Sequence, residues 1–321
     1  MIETPAPAGR FSGWRLLGAF WALALALLLG GGVVLLALGP PPEPVAVAAE
    51  EPQAPHAAPT PPEPVSAREP LPLPLPVAGP PPPRIAFARP APPEDGRPRV
   101  ALVAGGLGLS AEVTARAIRS LPVAVGLAFS PHAEEPGPQL QQARLRGFET
   151  LLALPLEPIG FPLNDPGPGA LLTGLPRTEN ARRLEALLLR QGGHVGAVGA
   201  LGPLRGERFA ALPDLFDALQ RQLQAAGMLY IDPRPGEGPP RHVWGRGVDV
   251  VLDSPPSRAE IELRLTQLER AAHERGAALG YLGEVSPVAV ERVAAWAAGL
   301  AARGLVLVPP SALALPPRPE N

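Results

Sequence analysis

The chain has 321 residues, enough for one large domain or two ordinary ones. Its 46% hydrophobic content is that of a globular protein, whereas its 48 prolines are about three times the average share. A net charge of −2 with no basic aromatic patch argues against nucleic acid as a partner; the absence of cysteine excludes disulfides, thiolate nucleophiles and Cys-ligated metal, and the absence of lysine excludes a Schiff-base or P-loop lysine.

Residues 1–15 carry Arg10 and Arg15 against Glu3 and are expected to be a cytoplasmic N-terminus. From Leu16 to Gly39 no residue is charged, and an apolar helix of that length reaches across a bilayer. Trp14 and Trp21 stand near its start, where interfacial aromatics sit. The arginine side faces the cytoplasm, and the side carrying Glu43, Glu50 and Glu51 is translocated. A cleaved signal peptide, with Ala46-Val47-Ala48 as its cleavage site, is the alternative. The apolar run exceeds a typical signal-peptide h-region, which favours an uncleaved, single-pass transmembrane anchor over residues 16–39.

Residues 40–97 read as a disordered Pro/Ala-rich linker holding about twenty of the 48 prolines. Alternation such as Leu71-Pro72-Leu73-Pro74-Leu75-Pro76 cannot build a sheet ladder and favours polyproline II. At about 3.1 Å per residue, such a segment reaches on the order of 180 Å when extended, enough to hold a domain away from a membrane.

From Arg99 onward, apolar runs alternate with amphipathic segments. Strands are expected at Val100–Ala104, Val123–Phe129, Thr150–Leu154, Val195–Val198, Met228–Asp232, Val248–Leu252, Ala277–Leu282 and Leu305–Val308. Helices are expected at Ala111–Arg119, Pro138–Arg146, Glu179–Arg190, Pro213–Ala226, Arg258–Arg275 and Pro287–Arg303. Gly147, Gly192, Gly227, Gly276 and Gly304 follow helices in the place of a left-handed cap, and Ser286-Pro287 is an N-cap followed by proline at the first helical position. This repeated α/β unit over residues 98–315, with a tail at 316–321, suits a closed or nearly closed β/α barrel.

The stretch from Glu149 to Leu175 turns from an apolar run into a loop dense in Pro and Gly that carries Glu157, Asn164 and Asp165. Loops of this length in compact domains are functional or disordered, and its prolines fix its path. A site and a rigid packing loop are both open readings. Gly106 to Ala111 spells G-x-G-x-x-A between a strand and a helix, the setting of a dinucleotide fingerprint. The second strand, however, ends Phe129-Ser130-Pro131-His132 with no acid for a ribose hydroxyl. The glycines then read as a tight strand-to-helix turn. The five histidines show no local metal spacing, and His132 alone follows a strand at a candidate site edge. Glu157, Asp232 and Asp253 each end or follow a strand, where a β/α barrel builds its chemistry; each also reads as an N-cap or a loop ion pair. Asp249 alternates with Val248 and Val250 and points into the barrel or at a neighbouring helix.

Taken together, Leu154-Pro155-Leu156-Glu157-Pro158, Asn164-Asp165-Pro166-Gly167-Pro168, Leu171-Leu172-Thr173-Gly174-Leu175, Tyr230-Ile231-Asp232-Pro233-Arg234 and Val251-Leu252-Asp253 resemble the signature of the divergent polysaccharide deacetylase family, over roughly Arg99 to Leu315. The resemblance implies a NodB-like distorted (β/α) barrel, an envelope glycan or peptidoglycan as partner in the periplasm of a bacterial inner-membrane protein, and removal of acetyl groups assisted by a divalent metal such as zinc. The chain departs from the family where the metal is held. The family's D-D-L-G is Gly105-Gly106-Leu107-Gly108 here, and the His positions of its N-N-H-M-G-S and G-H-P motifs hold Ala200 and Tyr281. The expectation is therefore a catalytically degenerate barrel with no metal ligands and no cofactor, in which His132, Asn164, Asp165 and Arg234 contact ligand. The alternatives are an active deacetylase with a relocated site built on Glu157, Asp232, Asp253 and His132, and a spacer-borne module that binds an envelope protein.

Overall fold

The structure is a computed structural model that describes residues 20–23, 25, 80–134 and 136–318. The expected anchor over 16–39 lies outside the described residues except at 20–23 and 25. These are helical, and Phe20, Trp21, Leu23 and Leu25 are exposed. No helix among the described residues is long and apolar enough to cross a membrane. The chain divides into two compact units, Met1–Leu73 and Pro74–Asn321, and the second contains the sheet.

Nine strands form one parallel sheet: β1 Arg99–Leu107, β2 Gly126–Phe129, β3 Thr150–Ala153, β4 Gly196–Val198, β5 Leu229–Asp232, β6 Gly245–Gly247, β7 Val250–Val251, β8 Ala277–Leu282 and β9 Val306–Leu307. Helices fill most connections: α1 Ala111–Ser120, α2 Gly137–Leu145, α3 Arg177–Arg190, α4 Pro213–Ala225, α5 Arg258–Arg275 and α6 Pro287–Ala298. The strand order is β6-β5-β4-β3-β2-β1-β8-β7, with β9 pairing on β1. β6 and β7 belong to one stretch of chain. Between them Val248 donates its N–H to the Asp232 carbonyl at 2.9 Å, and Asp249 donates to the Leu279 carbonyl at 2.8 Å. That single stretch bonds to β5 on one side and β8 on the other, so the sheet curls round into the expected barrel.

The period-2 alternation of a strand sorts the core into layers. On β1, Ala101 and Val103 face an interior cluster with Leu151, Ile231 and Tyr281. Leu102 and Ala104 face outward and pack with Ile118, Leu265 and Val293 of α1, α5 and α6. On the far side, Leu152, Leu154 and Tyr230 pack with Leu184 of α3 and Leu219 of α4. At the amino end of the strands, Glu149 fastens two distant segments. Its Oε1 accepts the Arg89 N–H at 2.9 Å and the Ser311 hydroxyl, and its Oε2 accepts the Ser311 N–H at 3.0 Å. Burial pushes this carboxyl above its ordinary value, while the bonds from Ser311 and Arg89 oppose the shift.

Several expectations are corrected in detail. β1 runs to Leu107 rather than Ala104, and β2 begins at Gly126 rather than Val123 because Val125 closes a turn onto the Pro122 carbonyl. Gly193, not Gly192, has the positive φ of +82°. The last long helix stops at Ala298 and resumes as a 3-10 turn at Ala301–Arg303. Residues 80–97, read as the end of the linker, pack on the barrel: Arg84 donates its N–H to the Gly227 carbonyl at 3.0 Å, with its guanidinium 5.4 Å from the Trp244 ring centre.

His194, just ahead of β4, is 2% exposed, and neither ring nitrogen has a hydrogen-bond partner among the described residues. Burial, helped by the Arg144 guanidinium, pushes its pKa down to about 4. An unfolded imidazole takes up a proton near pH 6.5, and the folded one only near the lower value, so stability is lost as pH falls through that window. The loss is on the order of 3 kcal/mol at about 1.4 kcal/mol per pKa unit. Urea unfolding at pH 7.5 and 4.5 is expected to show a steeper acid-side loss for the wild type than for His194→Leu; equal slopes would remove His194 as the cause.

Candidate functional site at the barrel mouth

The carboxyl ends of the strands form the mouth, where the family's metal would lie. β1 breaks register between Ala104 and Leu107, with Gly106 at φ +74°. A Cβ at Gly105 would stand 2.7 Å from the Gly283 carbonyl oxygen and 2.9 Å from the Tyr281 hydroxyl. Tyr281 is 1% exposed, and its hydroxyl donates to the Gly202 carbonyl at 3.1 Å. Gly202 lies in a tight turn closed by paired hydrogen bonds between Leu201 and Leu204. A Cβ at Gly283 would in turn stand 2.7 Å from the Gly202 oxygen. The loops after β1, β4 and β8 thus meet with no room for side chains. Burial, and then the nearby Asp253 carboxylate, push the Tyr281 hydroxyl well above its ordinary value, so it is a neutral donor at physiological pH.

Asp253, at the end of the β7 stretch, holds the loop that follows β8. Its two oxygens accept the N–H groups of Gly283 at 2.9 Å and Glu284 at 2.8 Å. Asp232 sits elsewhere. On β5, Leu229 and Ile231 face the interior and Tyr230 faces outward, and Asp232 shares the face of Tyr230. It is 3% exposed and takes a two-pronged ion pair from Arg234, with Nε at 3.0 Å and Nη2 at 2.6 Å. The pair lines a cleft on the barrel's flank.

Glu157, 2% exposed, clasps the long loop after β3. Its Oε2 accepts the Thr173 N–H and, at 2.8 Å, the Thr173 hydroxyl; Arg208 Nε lies 2.9 Å from Oε1. The backbone reinforces the clasp, since Glu157 N–H donates to the Leu171 carbonyl and Leu171 N–H to that of Pro155. His132 braces the same loop, its Nε2 standing 2.8 Å from the Pro166 carbonyl oxygen. Asp165 accepts the Gly167 N–H at 2.8 Å, and Asn164 donates to the Ile159 carbonyl at 2.9 Å. Glu157, His132 and Asp165 therefore all act on the loop after β3, whereas Asp232 and Asp253 lie apart from it with partners of their own. Thr173 and Arg208 complete the Glu157 clasp and were missed as partners. The signal for Thr173 was its place in the same signature as Glu157; Arg208 had none.

Among the described residues, no group of three His, Asp or Glu side chains could hold a metal ion. The divalent metal implied by the resemblance would fall to Gly105, Ala200 and Tyr281. Two of these have no donor atom in their side chains, and the third is a neutral hydroxyl already given to a carbonyl, so the residues do not fit the ion. The glycine turn is also committed internally: Gly108 donates its N–H to the Thr114 hydroxyl at 2.9 Å, and the Ser110 hydroxyl accepts the Val113 N–H at 3.4 Å as the cap of α1.

Glu157→Ala strands both donors of the half-buried Thr173 and is expected to cost about 2 kcal/mol of folding stability. Glu157→Gln, which keeps one acceptor, should cost less. Urea unfolding of the two variants checks this, and an alanine cost below about 1 kcal/mol would mean that the carboxylate does not hold the loop.

Residues 102–314 match the family described as divergent polysaccharide deacetylase. Among solved structures, an uncharacterised protein from Agrobacterium tumefaciens C58 is 33% identical, aligns over 72% of this chain and 94% of its own, and superposes with a TM-score of 0.65. The catalytic domain of a peptidoglycan N-acetylglucosamine deacetylase from Eubacterium rectale is 10% identical over 71% of this chain and 95% of its own, with a TM-score of 0.44. A family 4 carbohydrate esterase from Streptomyces lividans is 12% identical over 70% and 99%, with a TM-score of 0.43. No curated protein matches the chain. With about two thirds of its length matched and its deacetylase-type barrel in place, the chain belongs to the divergent polysaccharide deacetylase family.

Proposed function

We propose that this protein binds envelope glycan through a deacetylase-like barrel that no longer hydrolyses, carried into the periplasm by an N-terminal membrane anchor. The observation that carries this reading is the Tyr281 hydroxyl bonded to the Gly202 carbonyl across the mouth, beside a Gly105 with no space for a side chain. Metal-assisted deacetylation needs a bound ion to activate water and polarise the acetyl carbonyl, and a carboxylate to serve as base. Asp253 accepts two backbone N–H groups, Asp232 is paired with Arg234, and Glu157 with Thr173 and Arg208. The family supports a polysaccharide as ligand. The uncharged run from Leu16 to Gly39, with apolar side chains exposed at Phe20, Trp21, Leu23 and Leu25, supports the anchor.

Purified protein is expected to carry far less than one divalent ion per chain, to release no acetate from acetylated peptidoglycan, and to co-sediment with isolated peptidoglycan. Stoichiometric zinc together with chelator-sensitive acetate release would overturn the reading in favour of an active enzyme with a relocated site. Failure to co-sediment would overturn glycan binding and favour an envelope protein as the partner.

A further inference from the structure

In this barrel, helices cover the outer face after β1, β2, β3, β4, β7 and β8. The connection from β5 to β6, residues 233–244, is the exception. It contains Pro233, Pro235, Pro239 and Pro240, and none of its residues is helical. Each proline lacks an N–H and fixes φ, so this stretch cannot coil against the sheet. Where a helix would lie there is instead a cleft of about 280 Å³ between α4 and the connection. Phe216 and Gln220 of α4, the Asp232–Arg234 pair, Arg241 and Arg318 line it.

The charged groups lining this cleft, Asp217, Asp232 and Glu237 against Arg234, Arg241 and Arg318, are equal in number but not all paired. Asp232 is neutralised by Arg234, which also lies 3.5 Å from Glu237, and Asp217 lies 3.3 Å from His242. Arg234 is stacked 5.1 Å from the Phe216 ring centre, which fixes the cleft's inner wall. Arg241 and Arg318 are exposed and have no carboxylate partner among the described residues. Their backbones are tied together, Arg318 N–H donating to the Arg241 carbonyl at 2.9 Å. The Arg318 guanidinium lies along the glycine of the opposite wall, 3.5 Å from where a Cβ on Gly238 would be. The Arg241 backbone is held in turn by Gln220, whose Oε1 accepts its N–H at 2.7 Å. Both arginines also line an adjoining cavity of about 390 Å³ with Arg221. Two guanidinium forks on a braced backbone match the geometry of a carboxylate or a phosphate ester. The ring edges of Pro213, Pro239 and Pro240 offer apolar faces beside them, and the Asp232 and Glu237 carboxylates offer acceptors for hydroxyl groups.

We infer that this flank cleft binds an acidic saccharide, with Arg241 and Arg318 holding its carboxylate or phosphate group and the proline edges packing against its ring. The inference rests on the glycan-binding reading above and gives that binding a place outside the mouth.

The test uses full-length protein and the Arg241→Ala/Arg318→Ala double variant. Both side chains are exposed, so the fold should survive, as equal unfolding temperatures would verify; the single Arg318→Gln variant serves if the double variant is unstable. The probes are a hexuronate oligosaccharide, the same oligosaccharide after carboxyl reduction, and isolated peptidoglycan. The wild type is expected to bind the acidic oligosaccharide at least tenfold more tightly than the reduced one, and the double variant to lose that preference with its weak binding of the neutral form unchanged. Equal affinity of the wild type for the two oligosaccharides, or an unchanged preference in the variant, overturns the cleft assignment. If the wild type still sediments with peptidoglycan in that case, the glycan-binding reading stands without this cleft. If the wild type binds none of the three probes, that reading falls as well.

Discussion

The Tyr281 hydroxyl reaches the Gly202 carbonyl because nothing on Gly105 stands in its way. An aspartate at position 105 would need the space that the tyrosine and the Gly283 carbonyl now fill. In packing terms, the small residue on β1 and the large one on β8 are a single exchange of volume across adjacent, paired strands, Val103 lying opposite Tyr281 in the register. That exchange also settles the electrostatics. A half-buried carboxylate such as Asp253, without a cation, is stabilised by hydrogen-bond donors. Asp253 has found the N–H groups of Gly283 and Glu284, on the very loop whose carbonyl closes over Gly105. The mouth is consistent with itself as a packed layer in which Asp253 and Glu157 have partners without an ion.

The alternation of apolar and amphipathic segments made most of the barrel readable from the sequence. Gly147, Gly227, Gly276 and Gly304 end helices with φ between +70° and +86°, a region that only glycine enters cheaply. What could not be read is the stretch that closes the barrel. Gly245-Arg246-Gly247 has no apolar face to announce a strand. It contains glycine because the strand runs against its neighbours: a Cβ on Gly245 would fall 1.9 Å from the Tyr230 oxygen, and one on Gly247 2.2 Å from the Glu237 oxygen. The same cause hides the end of β1, where glycines that look like a turn carry the strand on to Leu107. Pattern reading sees side chains, and these strands are defined by the lack of them.

The site was legible in a different measure. The loop from Glu149 to Leu175 was visible as a rigid, polar excursion, and the structure fastens it with Glu157, His132 and Asp165. Strand-end position alone, however, grouped Asp232 with Asp253, although they lie on different sides of the barrel wall. The alternation within Leu229-Tyr230-Ile231-Asp232 contained the answer, since Asp232 shares a face with Tyr230 and Tyr230 packs outward on Phe216 at 5.7 Å. Arg241 and Arg318 had no such signal. They belong to a proline-rich connection and a chain end, and only folding sets them side by side.

Proline links the closed mouth to the open flank. In the loop after β3, prolines stiffen a path that Glu157 then locks, which removes freedom where a substrate would approach. Between β5 and β6, they forbid the helix that the other long connections supply, which leaves a cleft. Two of the signature residues, Asp232 and Arg234, form part of the wall of that cleft rather than of the mouth. Asp232 and Arg234 are bound to each other, and Arg234 is stacked on Phe216. Their ion pair fixes the Phe216 stack and the start of the connection, and so holds open the polar surface of this cleft.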